Sequence, residues 1–309
     1  MDKPLQRGAG VLLHISSLPS AGFTGDFGVE ARHFVDYLVG SGFSVWQVLP
    51  LGPPHDELSP YATYSVHAGN TAFIDLAALV QQGLISVERE AMGRENLAQK
   101  QQVLREAAAA FFARLKHAPD SAEAMAYSAF VERGQFWLEP YCRYRVLRKA
   151  QGDRYWLDWP EDLRDCHSAA VQQACESLQD ELQAERFAQF VFDQQWQALR
   201  EYANERGVKL FGDMAFFVDI DSADAWANPA QFDLDDVGRP RTLTGVPPDY
   251  FAKDGQFWGN PQYRWDYMAE DGFRWWLARF ASAQKQFDIV RIDHFRALQA
   301  FWEIPAGAA

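Results

Sequence analysis

The sequence predicts an α/β chain built on short parallel strands, and three observations predict it. First, residues 9–15 (AGVLLHI), 44–49 (SVWQVL) and 208–211 (VKLF) are short apolar runs suited to buried strands. Second, an amphipathic stretch at 29–39 joins the first two, so residues 9–49 read as a βαβ unit, which feeds a parallel sheet. Third, the runs end at residues with chemistry: Pro50 onward after the second, Asp213 after the third, and Asp293 after a fourth run near 289–292. Functional groups at the C-terminal ends of successive parallel strands are the pattern of a (β/α)8 barrel. An open doubly wound sheet would also place ligands there. No Gly-x-Gly-x-x-Gly follows any strand, so a dinucleotide fold is disfavoured.

The elements follow in order. Residues 16–28 are rich in Ser, Pro and Gly and read as a loop. Val29, Phe34, Val35, Leu38 and Val39 give the next segment an apolar helical face, and Gly40 and Gly42 end it. Residues 51–70 form a long loop with Ser59-Pro60-Tyr61 in its middle. From 76 to 207 the chain is rich in Ala, Gln, Glu and Arg and reads as a large helical insertion; charged runs such as 88–90 are solvated faces. Strand character returns at 208, a short helix starts near Ser222, and 229–265 reads as one long, turn-rich loop. Loops this long are usually functional. A helix at 272–287 then leads into the strand that carries Arg291. The expected organisation is 1–75 for the first strands and a substrate loop, 76–207 for the insertion, and 208–309 for the third and fourth strands with the long loop.

Composition removes several function classes. With 309 residues, 48% hydrophobic and 23% charged, the chain can bury a sizeable core. A net charge of -13 repels phosphate backbones, so no nucleic-acid partner is expected. The three cysteines, Cys142, Cys166 and Cys175, include no Cys-x-x-Cys pair, which argues against a disulfide framework or a zinc cluster and fits a reducing compartment. No apolar window approaches the ~18 residues of a membrane span, so a cytoplasmic protein without a membrane partner is expected. Aromatic residues are 15% of the chain, and several Trp and Tyr sit in polar Gly/Pro-rich segments where packing alone does not account for them. Flat rings of that kind stack on the apolar faces of sugars.

The most informative stretch is DIVRIDHFR, 288–296. Alternation along a strand aims Arg291 and Asp293 at the same space. A guanidinium beside a carboxylate favours its ionised form. Such a carboxylate at a strand end, with His294 and Arg296 beside it, is what a covalent glycosidase nucleophile needs. A buried ion pair that merely closes a strand would read the same way. A metal-dependent hydrolase using His14, Asp213, Asp293 and His294 is a further alternative, although the sequence holds no His-x-His and no His-Glu-x-x-His.

Five blocks carry a family resemblance: RGAGVLLHISSLPS from Arg7, SPYATYSVHAGN from Ser59, FGDMAFFVDIDSADAW from Phe211, GVPPDYFAKDGQFWGNP from Gly245 and RIDHFR from Arg291. In content and order they resemble the N-terminal part of the amylomaltases, 4-α-glucanotransferases of the α-amylase clan. The resemblance implies a TIM barrel of glycoside-hydrolase type that transfers α-1,4-glucan segments between maltooligosaccharides by a retaining double displacement, with no metal and no cofactor. It implies Asp293 as nucleophile and Arg291 as the group that holds it. His294 and Asp213 would bind near the cleavage subsite, Tyr61 would stack on the transferred sugar, and Trp258 and Asn260 would lie on a mobile covering loop. Retention needs two carboxyl groups about 5–5.5 Å apart. The family's acid/base glutamate and its later aspartate have no counterpart here, and Glu303 lies beyond the nucleophile's strand in a stretch the family does not use for acid catalysis. The resemblance therefore implies an incomplete barrel of about four strands, open at its edges, prone to self-association and inactive alone. A non-catalytic glucan-binding fragment is the alternative.

Overall fold

The computed structural model describes residues 7–307 except 249 and 251. Asp249 and Phe251 of the block that starts at Gly245 therefore lie outside the described residues, as do 1–6 of the expected first segment and 308–309 of the last. The chain begins with β1 (Gly10–Leu12), α1 (Val29–Gly40) and β2 (Val45–Gln47). Seven helices follow: α2 (Leu76–Gln81), α3 (Val87–Gly93), α4 (Leu97–His117), α5 (Ala122–Ala150), α6 (Glu161–Arg164), α7 (Ser168–Glu176) and α8 (Gln179–Glu205). Then come β3 (Lys209–Met214), α9 (Ala223–Ala227), β4 (Thr242–Val246), β5 (Gln256–Pro261), α10 (Trp265–Glu270), α11 (Arg274–Gln286), β6 (Ile289–Ile292) and β7 (Trp302–Pro305).

Strands β1, β2, β3 and β6 form one parallel sheet in that order. Trp46 on β2 is fully buried, and its indole donates to the Leu13 carbonyl at 2.7 Å, tying the second strand to the end of the first. Truncating a ring so placed costs about 3–5 kcal/mol. The first strand is shorter and less buried than its apolar run suggested. It is an edge strand, Leu12 is 53% exposed, Val11 and Leu13 are only partly buried against the core, and Ile15, in the turn beyond, is fully buried. The fourth parallel strand is likewise half-buried rather than buried, with Arg291 at its surface.

The run 76–205 is helical, and local chemistry starts its helices. Asp75, Ser86, Asn96 and Ser121 each sit just before a helix and accept a hydrogen bond from its first turn. These helices do not build a separate core. One cluster runs from Trp46 and Leu210 of the sheet to Phe111, Phe187 and Trp196 of the helices. Among the described residues no helix is long and apolar enough to cross a membrane.

The segment 229–265 differs most from its expected form. It is not one long loop. Strands β4 and β5 pair antiparallel inside it, and β7 adds to the other side of β4. Gly245 allows the close pairing: a Cβ there would stand 2.5 Å from the Gln256 carbonyl. A second core, with Met214, Phe216, Phe217, Phe232, Tyr263 and Trp276, packs the end of β3 against α10, α11 and the segments that flank the small sheet.

Candidate functional site

The register of β3 against β6 makes the charged part of the site. Asp213 and Arg291 are direct partners across the two strands, so their side chains leave the sheet side by side. Gly212 sits one residue earlier and faces the other way, where the Phe287 ring leaves no room for a Cβ. Arg291 Nη1 donates to both oxygens of Asp213, at 2.8 and 2.6 Å, and Nη2 donates to Asp293. One guanidinium thus bridges two carboxylates from neighbouring strand ends. Asp293 lies one residue past β6, held by its own N–H on the Met214 carbonyl at 3.0 Å. The Asp213 side chain is 1% exposed, whereas that of Arg291 is 42% exposed. Hydrogen bonding to Asp213 and attraction to both carboxylates push the Arg291 guanidinium above its ordinary value, against the opposing effect of desolvation.

Tyr61 closes this cluster from the loop between β2 and α2. Its hydroxyl donates to Asp213 Oδ2 at 2.7 Å. The loop is braced around it by a bridge between Pro54 and Thr63 and by the Asn70 N–H on the Leu51 carbonyl. Burial, and then the bond to Asp213, push the Tyr61 hydroxyl up to about 12, so it remains a protonated donor at neutral pH. Its ring is part-exposed beside the carboxylates.

An aromatic wall stands next to the charges. His294 has a left-handed backbone, φ 50°, which turns the chain sharply after Asp293. Non-glycine residues held there store strain and cluster at functional sites. The His294 ring meets Trp258 of β5 edge-on at 4.8 Å and leans on Phe217 at 6.0 Å. Burial lowers its pKa from the usual 6.5, and its Nε2 is buried without a partner among the described residues.

The structure thus brings together Tyr61, Asp213, Arg291, Asp293, His294 and Trp258. Asn260 bonds within the protein. Its amide donates to the Val218 carbonyl at 3.1 Å and its oxygen accepts from Thr244, so it pins β5 in place. His14 packs edge-on against Phe73, and burial lowers its pKa to about 4. No group of three or more His, Cys, Asp or Glu is arranged to hold a metal ion among the described residues, so His14, Asp213, Asp293 and His294 form no ligand set. Glu303 lies on β7, paired opposite Thr244 in the antiparallel sheet. The three cysteines are free thiols. Sequence reasoning missed Arg279 and Tyr263, which lie under the aromatic wall. The signal was available: an arginine inside the apolar run Trp275 to Phe280 is out of pattern for a buried helix face.

Chemically, a carboxylate at an open strand end is held by a guanidinium and flanked by part-exposed rings. It can attack or stabilise a cationic centre on an amphipathic, hydroxyl-rich ligand. A family profile described as 4-alpha-glucanotransferase matches residues 13–309. The chain is 43% identical to the 4-alpha-glucanotransferase of Thermus thermophilus over 308 residues, covering 98% of this chain and 61% of that protein. It is 40% identical to the Aquifex aeolicus (strain VF5) enzyme of the same name, covering 97% and 61%. The amylomaltase of Streptococcus agalactiae, solved in complex with acarbose, superposes with a TM-score of 0.90 at 33% identity, covering 98% of this chain and 62% of that one. The chain therefore spans about three fifths of the length of these relatives. Its parallel sheet and helices fit their barrel-type α/β fold. On the extent of the profile match, the chain belongs to the 4-alpha-glucanotransferase family.

Proposed function

We propose that this chain carries the nucleophile side of a 4-α-glucanotransferase that moves α-1,4-glucan segments between maltooligosaccharides. The observation that carries the reading is the Arg291 bridge between Asp213 and Asp293, with the Tyr61 hydroxyl on the same Asp213. Asp293 attacks the anomeric carbon as an acid protonates the leaving glycosidic oxygen, giving a covalent glucosyl-enzyme. The 4-hydroxyl of a second glucan then attacks, loses its proton to the same acid/base group, and restores the α-linkage. Arg291 keeps the Asp293 carboxylate aimed. His294 contacts sugar hydroxyls, Asp213 sits near the cleavage subsite behind Arg291 and Tyr61, Tyr61 stacks on the transferred residue, and Trp258 forms the wall that keeps water from the intermediate. Asn260 holds that wall in place. We read the described parts of 1–75 and 208–309 as about half of a (β/α)8 barrel, and 76–207 as a helical insertion.

The acid/base carboxyl is not assigned to Glu303, which sits on the antiparallel sheet. We place it outside these 309 residues. Incubating the chain with maltotriose tests the reading. The expected result is no product from this chain alone, and a ladder of longer maltooligosaccharides plus glucose once the sequence is joined to the C-terminal part of a relative. That ladder should vanish in Asp293→Asn. A ladder from the chain alone would return Glu303 to the acid's role. A ladder that survives Asp293→Asn would sink the assignment of the nucleophile. The location of Glu303 also favours a second reading, a glucan-binding fragment without chemistry. It predicts maltotriose binding that survives Asp293→Asn, and no ladder in either the chain or the joined protein.

A further inference from the structure

Arg279 on α11 is a buried cation that attracts the buried Asp224 carboxylate without touching it. It is 2% exposed and makes no ion pair with any carboxylate among the described residues. Its guanidinium donates from Nη1 to the Phe216 carbonyl at 2.6 Å and to the Tyr263 hydroxyl at 3.0 Å, and from Nη2 to the Ala215 carbonyl. Tyr263 donates in turn to the same Phe216 carbonyl at 2.7 Å. The rings of Trp275 and Trp276 lie 5.5 and 5.0 Å from the guanidinium carbon. A buried charge in an aromatic cluster is costly, and an apolar side chain of similar volume is often at least as stable. What an apolar side chain cannot supply is a planar fork that fixes several acceptors at once.

The acceptors all belong to the site. Ala215 and Phe216 directly follow β3, whose end carries Asp213. Phe216 and Phe217 pack against His294 at 6.5 and 6.0 Å, and Phe217 also meets Trp258 at 6.2 Å. Tyr263 lies two residues past β5, which carries Trp258, and stacks on Phe217 at 6.0 Å. Helix α11 itself leads into β6 and Asp293. We propose that Arg279 is a positioning residue that sets the Trp258–His294 wall against the Asp213–Arg291–Asp293 cluster. The inference rests on the reading of this strand end as the glucan site, but its test needs no sugar.

A protonated imidazole in contact with an indole quenches its fluorescence, so the Trp258 contribution, taken as the difference from Trp258→Phe, reports the contact with His294. In the native chain that contribution should fall with pH at a midpoint below the ordinary histidine value. The charged neighbours of His294, Asp293 and Arg296, are left unchanged by the substitutions used. Arg279→Met should cut the quenching amplitude at least twofold and move the midpoint up toward the ordinary value. Arg279→Lys keeps the charge but not the fork and should do the same, which covers the case in which Arg279→Met does not fold. Tyr263→Phe should give a smaller shift in the same direction. Unchanged amplitude and midpoint in a cooperatively folded Arg279 variant would overturn the proposal. A shift in these variants combined with no maltotriose binding by the native chain would reject the glucan reading alone.

Discussion

Asp213, Arg291 and Asp293 meet because two adjacent parallel strands are in register, whereas Trp258 and His294 meet because two separate sheets pack together. In the first case the backbone ladder sets the spacing and charge-assisted hydrogen bonds complete it. In the second, side-chain contacts to Phe217 of the second core hold the rings. An aromatic pair contributes about 0.5–1.5 kcal/mol beyond its burial, less than a charged hydrogen bond to a buried carboxylate. The charged half should therefore be the stiff half of the site, and the aromatic half the part that can yield to a ligand.

The largest effect should come from Arg291→Met. It strips two of the three side-chain hydrogen bonds from a buried Asp213. Breaking a buried pair from one side costs about 3–5 kcal/mol; because Arg291 is partly exposed, the low end applies, about 3 kcal/mol. Urea unfolding would measure it. Adding Asp213→Asn should recover part of the loss, since the uncompensated charge goes with it. A cost below about 1 kcal/mol would mean that the charged cluster is no stiffer than the rings, and the comparison would fail.

Tyr61→Phe should cost less, about 1.5 kcal/mol for one hydrogen bond to a charged acceptor. It also carries a pH signature. The folded hydroxyl value, about 12, lies above the ordinary value of 10. Its contribution is full below pH 10 and is lost as pH rises through 12. Stability curves of the native chain and Tyr61→Phe should therefore converge over that interval. Parallel curves would show that the hydroxyl does not serve Asp213 in solution.

The same division explains what could be read from the sequence. Arg291 and Asp293 are two residues apart, so strand alternation was enough to pair them. Asp213 could be named as a strand end, but its place beside Arg291 needed the register between strands that lie almost eighty positions apart in the chain. Local pattern reads residues 229–265 as a loop, because a Pro- and Gly-bearing stretch separates β4 from β5 and the other partner of β4 is β7, beyond the nucleophile. No local pattern announces that pairing. The hydrogen bonds of Asn260 to Val218 and Thr244 are tertiary and no local pattern shows them. Arg279 broke the apolar pattern of its helix, yet its acceptors are backbone carbonyls, which sequence does not display.

The smallest expected effect is the most direct test of the softer half. Trp258→Leu keeps an apolar side chain on β5 but removes the edge contact to His294. The loss of stability at neutral pH should be about 1 kcal/mol. Because burial lowers the His294 pKa, its contribution is full above the ordinary value of 6.5 and is lost as pH falls through the lowered one. Uncovering the ring should raise that value toward 6.5, visible in the imidazole NMR titration, and flatten the acid side of the stability curve. The Arg291–Asp213 pair should be unaffected, because it rests on strand register rather than on the wall. If Trp258→Leu also loosened that pair, seen as a loss of the Tyr61-dependent slope between pH 10 and 12, the two halves would be one cooperative unit. The aromatic sheet would then do more than cover the site, since it would help to hold the nucleophile in place.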